Sequence, residues 1–395
     1  MSEPRRILYH HRIRADDGQA VHVRELIAAL REGGHEVQEC ALVQKTHTQP
    51  GPGAPRPASF WQRLSLPRTA VEVLEVLYNR RGRAMLRQAA AGRRPDFLYE
   101  RHALHCRAGL DVARELGVPL LLEVNSPMVA EMQKLGSLRL PRRARATERA
   151  VLGGADAVLA VTQVLADMLV ELGAPRQRVH VIGNGAVVER YGVETARAAA
   201  AVRARWALPT SAFVLGFVGY MRPWHRLDLV LEAMTREHLG DTVLVLMGQG
   251  PALAPLLAQA DLRGLGARVK GLGEVPSELL PAHMMACDGA LIPAINDYAS
   301  PLKLFDSLAA GVPTLAPDQA NLRESIVHGD TGLLFQPFDT DDLVRQLQRL
   351  VLDRGFARRV GAAGRARLLQ QQWTWQGNAE RVLAIHAQLV NEARR

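Results

Sequence analysis

Residues 213–219 read FVLGFVG, and they are followed by LDLVLEAM at 227–234 and VLVLMG at 243–248. The first and third segments are short apolar runs, which predict buried strands, and the second carries apolar residues at helical spacing. Two strands joined through a helix run parallel, because a parallel pair needs a long crossover connection. These residues therefore predict a parallel sheet covered by helices.

The same alternation of strand and helix runs outward in both directions. Towards the N-terminus, residues 5–11 and 36–43 are predicted strands around a helix that Gly33 and Gly34 end. Further predicted strands cover residues 96–99, 119–124, 157–161, 178–182, 269–272, 290–292 and 313–316. Two series meet near residues 190–210, and 395 residues suit two domains. We predict an α/β fold of two Rossmann-like, doubly wound domains facing across a cleft, at residues 1–195 and 206–372.

The net charge limits the classes of partner that the protein could have, and the cysteine content limits its cellular compartment. The net charge of +9 suits a nucleic acid, an anionic membrane face or a phosphorylated substrate, unless it reflects an arginine-rich proteome. Cys40, Cys106 and Cys287 are far apart without a CxxC pair, so we expect neither a zinc site nor a disulfide framework. Reduced thiols, the lack of a signal-peptide core and the lack of a long apolar run indicate a cytoplasmic protein. Residues 49–57, rich in Pro and Gly, predict an exposed loop.

One motif carries most of the chemistry, YASPLKLFDSLAAGVPT at 298–314. Ser300 suits the N-cap of a helix and Pro301 its first position. The N–H groups and positive end of that helix would suit a diphosphate. Lys303 lies in the first turn, where a cation opposes the helix dipole, so it needs another reason, such as a phosphate. Asp306 could accept hydrogen bonds from ribose hydroxyls, and the alternative is an ordinary capped surface helix.

This motif resembles the nucleotide-sugar signature of glycosyltransferase family 4, a retaining family with the two-domain GT-B fold. Pieces along almost the whole chain resemble other motifs of the family in the same order. They are a glycine loop DGQ at 17–19, the first-domain end IGNGA at 182–186, a diphosphate-contacting loop GYMRPWHRLD at 219–228, a glycine turn GQGP at 248–251 and a base-contacting segment GEVP at 273–276. The usual lysine of the diphosphate loop is His225 here, after Trp224, a form that occurs in one branch of the family. Tyr298 and Asp306 stand where the family often carries two glutamates.

The resemblance implies a site, a reaction and a cofactor requirement. Arg222 and Lys303 would be the fixed, catalytic cations that stabilise the departing nucleoside diphosphate, as oxyanion-hole donors do. The reaction would retain anomeric configuration and use a nucleotide sugar as co-substrate, with no metal and no cofactor. A C-terminal helix at 373–395 would pack back on the first domain. The donor-binding residues would be Gly18, Gly219, His225, Gly248, Val275, Ser300, Leu302 and Asp306.

Polar residues also follow two predicted strands of the first domain, at 100–102 and 123–125. Ligands of doubly wound sheets bind at the carboxyl ends of strands, so these residues are candidates for acceptor binding or proton handling. Glu100 and His102 are the catalytic candidates. His102 is preferred to His105 because it lies nearer the strand end, and its alternative role is to cap the next helix. The acceptor-side candidates are Arg101, Glu123 and Asn125.

Two basic segments flank this region, and the second is interleaved with Leu135, Leu138 and Leu140. Such mixing suits the edge of an anionic membrane, where a lipid-linked acceptor would lie, although a plain solvated face fits the pattern as well. The first segment comprises Arg80, Arg81, Arg83, Arg87, Arg93 and Arg94, and the second comprises Lys134, Arg139, Arg142, Arg143, Arg145 and Arg149.

We therefore predict a glycosyltransferase that moves a sugar from a nucleoside diphosphate to a hydroxyl of a glycan, lipid-linked or small-molecule acceptor. We expect it in the cytoplasm, with a peripheral position at the inner membrane face as an option. A nucleotide-sugar epimerase of the same fold stays open. A basic nucleic-acid-binding protein is the alternative of a different class, but the few aromatic residues form no stacking platform. A nicotinamide dehydrogenase is disfavoured because the GxGxxG fingerprint is missing.

Overall fold

The computed structural model describes residues 3–13, 18–42, 67–236 and 239–395, which fall into two units. The first unit takes its residues from 1–161, 165–182 and 379–395, and the second from 162–164 and 183–378. The loop predicted at 49–57 and Asp17 of the DGQ motif lie outside the described residues.

A six-stranded parallel sheet forms the centre of the first unit. In chain order its elements are β1 (Arg6–His11), α1 (Gly18–Glu32), β2 (Glu36–Ala41), α2 (Arg68–Ala90), β3 (Phe97–Arg101), α3 (Ala108–Leu116), β4 (Leu120–Val124), α4 (Met128–Lys134), α5 (Pro141–Gly154), β5 (Ala157–Ala160), α6 (Gln163–Glu171) and β6 (Val179–Val181). The strand order is β2-β1-β3-β4-β5-β6, and every pair is parallel. Strands β1, β3, β4 and β5 are buried along their whole length, as in a sheet covered on both faces. The strand order reverses between β1 and β3, which is where such sheets bind ligands.

The second unit repeats the architecture with a different strand order. Its elements are α7 (Val193–Arg205), β7 (Phe213–Val218), α8 (Leu227–Met234), β8 (Thr242–Met247), α9 (Leu253–Leu262), β9 (Val269–Gly273), α10 (Leu280–Met285), β10 (Gly289–Leu291), α11 (Leu302–Ala310), β11 (Thr314–Pro317), α12 (Ala320–Arg323), β12 (Leu333–Phe335), α13 (Thr340–Leu352), α14 (Arg354–Gln370) and α15 (Trp375–Ala393). The parallel order β12-β11-β10-β7-β8-β9 is that of the dinucleotide-binding Rossmann sheet. Its switch point lies between β7 and β10, so we look for the ligand site where these two strands end.

The predicted α/β fold of two Rossmann-like units is confirmed. The strands expected from the sequence are present, with ends within two residues of the predicted ones. Strand β12 and helices α2, α4 and α12 were not predicted from the sequence. Strand β12 has only three residues, and helix α2 carries apolar residues on its exposed side, which blurs the single apolar face that a periodicity search needs.

The predicted first-domain range, 1–195, extends too far. Residues 183–191 are bonded to the second unit: the N–H of Asn184 donates to Oγ of Ser300, the backbone at Ala186 bridges to Thr374, and the Tyr191 hydroxyl donates to Asp306. The first unit instead reaches Ile182 and resumes at Ala379, within α15. In that returning segment His386 stacks on Phe97 of β3, with ring centroids 4.6 Å apart.

Candidate active site

Backbone hydrogen bonds join the loops that follow β7, β8 and β9. The N–H of Met221 donates to the carbonyl of Gln249 and the N–H of Gly248 to that of Gly273, each at 2.7 Å. Gly248 has a φ of +133°, and a Cβ on it would lie 2.2 Å from the carbonyl oxygen of Gly219. A side chain at Gly248 is therefore excluded by both conformation and space. The glycine motifs that begin at Gly219, Gly248 and Gly273 therefore lie together at the carboxyl ends of β7, β8 and β9, which are called here the carboxyl edge of the second sheet.

Lys303 reaches this edge from the first turn of α11. Its Nζ lies 4.0 Å from the centroid of the Phe217 ring, and a Cβ placed on Gly219 would lie 3.3 Å from the same Nζ. Burial lowers the pKa of the Lys303 ammonium to about 7. The ammonium has no carboxylate partner among the residues that the structure describes. A buried cation without a counter-ion is suited to bind an anion.

His225 is a neutral hydrogen-bond donor beside this cation. Burial first, and then the charges of Lys303 and Arg222, lower its pKa to about 3, so the imidazole is neutral at pH 7. Its Nδ1 accepts the backbone N–H of Arg222 at 3.1 Å, which leaves the ring proton on Nε2. The turn is held by Arg226, which has a φ of +51° and bonds Asp228 at 3.0 Å. His225 therefore replaces the family's usual lysine by a donor without charge.

Arg222 is exposed between two aromatic rings. Its guanidinium carbon lies 4.9 Å from the ring centroids of both Tyr220 and Trp224, which are half-exposed themselves. Within the described ranges it forms no ion pair. Stacking on two rings restricts the rotamers of a flexible side chain and holds its charge in place. Arg222 and Lys303 are the two cations that act on His225.

The start of α11 differs from the prediction. Pro301, not Ser300, is the N-cap, and no side chain caps the helix. Ser300 uses its hydroxyl to accept the N–H of Asn184 at 3.2 Å, a contact between residues 116 apart in sequence. The N–H groups of Leu302 and Lys303 consequently have no partner in the described part of the chain. The start of α11 therefore offers backbone N–H donors to an anion, as the sequence predicts, although the predicted Ser300 cap is not formed.

The other donor-side candidates have packing roles as well. Asp306 accepts a hydrogen bond from the Tyr191 hydroxyl at 2.9 Å, a partner that sequence reasoning missed because it precedes Asp306 by 115 residues. Val275 is half-buried and packs against the core cluster around Val214 and Val245. Tyr298, which stands where the family often has a glutamate, is buried and accepts a hydrogen bond from the Asn296 amide at 2.9 Å.

In the first unit, Glu123 is the centre of a buried hydrogen-bond network. Its two carboxylate oxygens accept from the side chains of Tyr9, His22, Tyr99, Arg101 and Asn125. Burial alone would raise the pKa of Glu123, but His22 and Arg101 hold it well below its usual range. The carboxylate is thus ionised and saturated with donors. It positions Arg101 and Asn125 and is not available as a base.

Glu100 is likewise committed to internal contacts. It accepts the N–H of Gly109 at 2.9 Å and bonds Nδ1 of His10, its neighbour in the β1–β3 register. His10 Nε2 lies 2.9 Å from the Tyr78 hydroxyl. Glu100 is 1% exposed, so the expected catalytic role is replaced by support of the strand ends at the switch point.

Neither imidazole nitrogen of His102 has a hydrogen-bond partner among the residues that the structure describes, although the residue is only 9% exposed. Burial lowers its pKa to about 4, so the ring is neutral at pH 7. The suggestion that it caps the next helix is wrong, because α3 begins after Arg107 and has no side-chain cap. His105 instead bonds Glu72 at 3.2 Å. Nδ1 of His105 has no partner within the described ranges either, but His102 is the one of the two histidines with both ring nitrogens available to a ligand.

Sequence reasoning missed Tyr9, His10 and His22 in this region. Tyr9 and His10 belong to the run YHH that ends β1, so the search for polar residues at strand ends could have found them. His22 lies on α1, and only the tertiary structure brings it to Glu123. Gly18 is exposed at the first position of α1.

His10, Glu100 and Cys106 form one group with metal-ligand chemistry, their ligand atoms lying within 4.8 Å of one another. The histidine and the carboxylate already satisfy each other, and the remaining bonds go to Tyr78 and Gly109. Burial raises the pKa of the Cys106 thiol, which keeps it protonated and a poor ligand. We interpret the group as a hydrogen-bonded core cluster.

Comparisons with known proteins assign the chain to a family. A family model described as Glycosyltransferase Family 4 matches residues 17–190, and one described as Glycosyl transferases group 1 matches residues 199–367. The D-inositol 3-phosphate glycosyltransferase of Streptomyces bingchenggensis is 27% identical over 325 residues, which cover 78% of this chain and 70% of that protein. Two further relatives of the same name are matched over 62% and 54% of their own lengths.

Solved structures share the fold of nearly the whole chain. Sucrose-phosphate synthase from Thermosynechococcus elongatus has a TM-score of 0.76 at 20% identity, covering 98% of this chain and 100% of its own. Anabaena Alr3699/HepE, solved in complex with UDP and glucose, has a TM-score of 0.69 at 15% identity, covering 97% of this chain and 100% of its own. Since the two family models account for both halves and the fold is that of solved glycosyltransferases, the chain belongs to the group 1 and family 4 glycosyltransferases.

Proposed function

We propose that this glycosyltransferase moves a sugar from a nucleoside diphosphate sugar to an acceptor hydroxyl, with retention of anomeric configuration and without a metal ion. The observation that carries the proposal is the pair of cations, Arg222 and Lys303, that flank neutral His225 and lack carboxylate partners within the described residues. The uncapped start of α11 adds backbone donors. A diphosphate supplies the negative charge that this edge of the second sheet lacks.

The chemistry follows from where charge develops. As the bond between the sugar C1 and the β-phosphate oxygen breaks, negative charge accumulates on the diphosphate while the sugar becomes oxocarbenium-like. Lys303, Arg222 and the α11 N–H groups stabilise that charge, each on the scale of about 3–4 kcal/mol known for oxyanion-hole donors. A new bond joins C1 to the acceptor oxygen, and the hydroxyl proton leaves with the nucleoside diphosphate. Nε2–H of His225 donates to a phosphate oxygen without adding a third positive charge.

The first unit supplies the candidates for substrate contacts outside the diphosphate. His102 is our choice for a contact to a sugar hydroxyl, because its two nitrogens have no partner in the described part of the chain. The Glu123 network holds Arg101 and Asn125 in fixed positions beside it. We expect the enzyme to work in the cytoplasm, on a glycan, lipid-linked or small-molecule acceptor.

Differential thermal denaturation across UDP-, GDP-, ADP- and dTDP-sugars tests the proposal. A donor at about 100 times its Kd should stabilise the protein by about 2.7 kcal/mol. Arg222→Gln and Lys303→Met should abolish this stabilisation, whereas the exposed controls Arg358→Gln and Lys134→Met should keep it. If no nucleotide sugar stabilises the wild type, or if both site variants respond as the wild type does, the proposed donor site is wrong.

Product analysis separates transfer from epimerisation. A transferase releases nucleoside diphosphate in proportion to added acceptor and forms a new glycoside of unchanged anomeric configuration. An epimerase converts or hydrolyses the donor at the same rate with no acceptor present, and that result would replace the proposed activity.

A further inference from the structure

Helix α2 of the first unit carries an apolar and basic surface formed by Val73, Leu74, Leu77, Arg80 and Arg81, named here the α2 surface. The three aliphatic residues are 43%, 55% and 48% exposed, which is unusual for three neighbours on one helix. Spacings of four and three place Val73, Leu77 and Arg80 on a single face, with Leu74 and Arg81 beside them. The helix is 23 residues long, or about 35 Å, so the surface is an extended strip.

The acidic residues of α2 point away from this strip. Glu72 is buried and accepts the backbone N–H of Leu140 at 2.8 Å, and Glu75 is half-buried. Arg80 and Arg81 have no acidic partner in the part of the chain that the structure describes. The α2 surface is therefore apolar at one end and carries uncompensated positive charge at the other.

The remaining arginines of the first basic segment are engaged elsewhere. Arg83 bonds Asp111 at 2.9 Å and Arg87 bonds Glu115 at 2.7 Å. Arg93 bonds Glu36 at 3.1 Å, and Arg94 donates to the backbone carbonyl of Gly117. Within the described residues, Arg80 and Arg81 are thus the two arginines of this segment without a hydrogen-bonded partner. The structure places three exposed aliphatic residues beside them, which the sequence analysis does not include.

The loop between α4 and α5 flanks the first turns of α2. Nε of Arg68 donates to the carbonyl of Ser137 at 3.4 Å, and Leu135, two residues earlier, is 74% exposed. This loop extends the same combination of an exposed aliphatic residue with basic ones. The exposed basic residues of this loop and of the helix ends beside it are Lys134, Arg139, Arg142 and Arg143.

We propose that the α2 surface and residues 134–143 bind an anionic lipid bilayer, with α2 lying along the headgroups and Leu74, Leu77 and Leu135 entering the acyl boundary. An interfacial helix needs one face that combines aliphatic side chains with arginines, and both are present here. A nucleic acid would use the arginines but would leave the aliphatic side chains in water. Among the described residues no helix is long and apolar enough to cross a membrane. The inference goes beyond the proposed reaction, because it concerns where the enzyme works.

Flotation with vesicles of phosphatidylcholine, with and without 30% phosphatidylglycerol, tests this surface. The wild type should bind the anionic vesicles at 100 mM salt, weakly at 500 mM, and should not bind phosphatidylcholine alone. Arg80→Glu/Arg81→Glu should weaken binding by about 25-fold or more, since each arginine contributes roughly fivefold. Leu74→Ser/Leu77→Ser should weaken it by at least about tenfold.

Matched controls lie in the second unit. Arg358→Glu/Arg359→Glu reverses another adjacent exposed pair, and Leu262→Ser/Leu352→Ser replaces two leucines that are 88% and 74% exposed. The controls should bind within twofold of the wild type, and unchanged melting temperatures should show that all four variants fold. The proposal is overturned if anionic vesicles do not bind, if the controls lose as much binding as the α2 variants, or if a short DNA duplex depends on Arg80 and Arg81 more than vesicles do. Stabilisation by a nucleotide sugar, measured on the same proteins, reports separately on the donor site.

Discussion

Donor affinity should fall as the pH rises through 7, because Lys303 must be charged to bind a diphosphate. Burial lowers the pKa of this lysine to about 7, whereas an exposed lysine titrates near about 10.4. About 90% of Lys303 is charged at pH 6 and about 10% at pH 8, so affinity for the nucleotide sugar should drop roughly tenfold across that range. His225 and His102, with pKa values of about 3 and about 4, stay neutral throughout and add no slope.

Isothermal titration calorimetry measures both consequences of this titration. The bound diphosphate raises the pKa of Lys303, so at pH 7 about half a proton should be taken up per donor, visible as different heats in two buffers of unequal protonation enthalpy. The ligand should be the nucleotide sugar, because a free nucleoside diphosphate has a terminal phosphate that titrates near about 6 itself. Lys303→Arg is the matched variant, since a guanidinium stays charged over the whole range. A wild-type affinity that is flat from pH 6 to 8, or an equal slope in Lys303→Arg, would refute the reasoning.

Four further changes have defined outcomes. Trp224→Ala should raise the donor KM about two- to fivefold and leave kcat nearly unchanged, because Arg222 loses one stacking ring; Trp224→Phe should restore it in steady-state assays. Gly248→Ala should cost about 2–4 kcal/mol in denaturant unfolding, against about 1 kcal/mol for Gly264→Ala, where a Cβ meets no atom within 4 Å. Glu123→Gln should cost about 3–5 kcal/mol by stranding the buried Arg101. Lys303→Met should raise Tm by about 2–4 °C, because it removes a buried cation whose burial costs stability in the free protein. Turnover should fall about 100-fold or more, because the cation that stabilises the departing diphosphate is lost. An unchanged Tm would contradict the inferred cost of burying Lys303.

The fold could be predicted from the sequence because most strands and helices have a recognisable local pattern of apolar residues. Short apolar runs such as residues 213–219 give strands, and helical spacing between them gives the crossover. The strand order is not local information, since β10 pairs with β7 although β8 and β9 lie between them in the chain. That order places the ends of β7 and β10 at the switch point, and it therefore decides where Lys303 meets the ring of Phe217.

The candidate site was predictable to the extent that its chemistry follows strand ends and helix starts. Lys303 and the backbone donors at α11 were predicted in this way. Arg222 was predicted only from the resemblance of residues 219–228 to the diphosphate-contacting loop of the family. The cap was wrong because local preference for Ser at an N-cap competes with a bond to Asn184, which only the folded chain brings near. Glu100 and Glu123 were identified as polar strand-end residues, but their roles depend on partners such as His10 and His22, which come from other elements.

Two unfavourable effects act together on Lys303. It lies in the first turn of a helix, where the macrodipole opposes a cation, and it is buried. A lysine kept for packing alone would be replaced by a methionine of similar shape at no loss. The proposed diphosphate would offset both effects, because its negative charge would pair with the buried ammonium and with the positive end of the helix. The free protein thus holds a buried ammonium that a bound anion would stabilise. The expected decrease in donor affinity above pH 7 is the measurement that tests this interpretation.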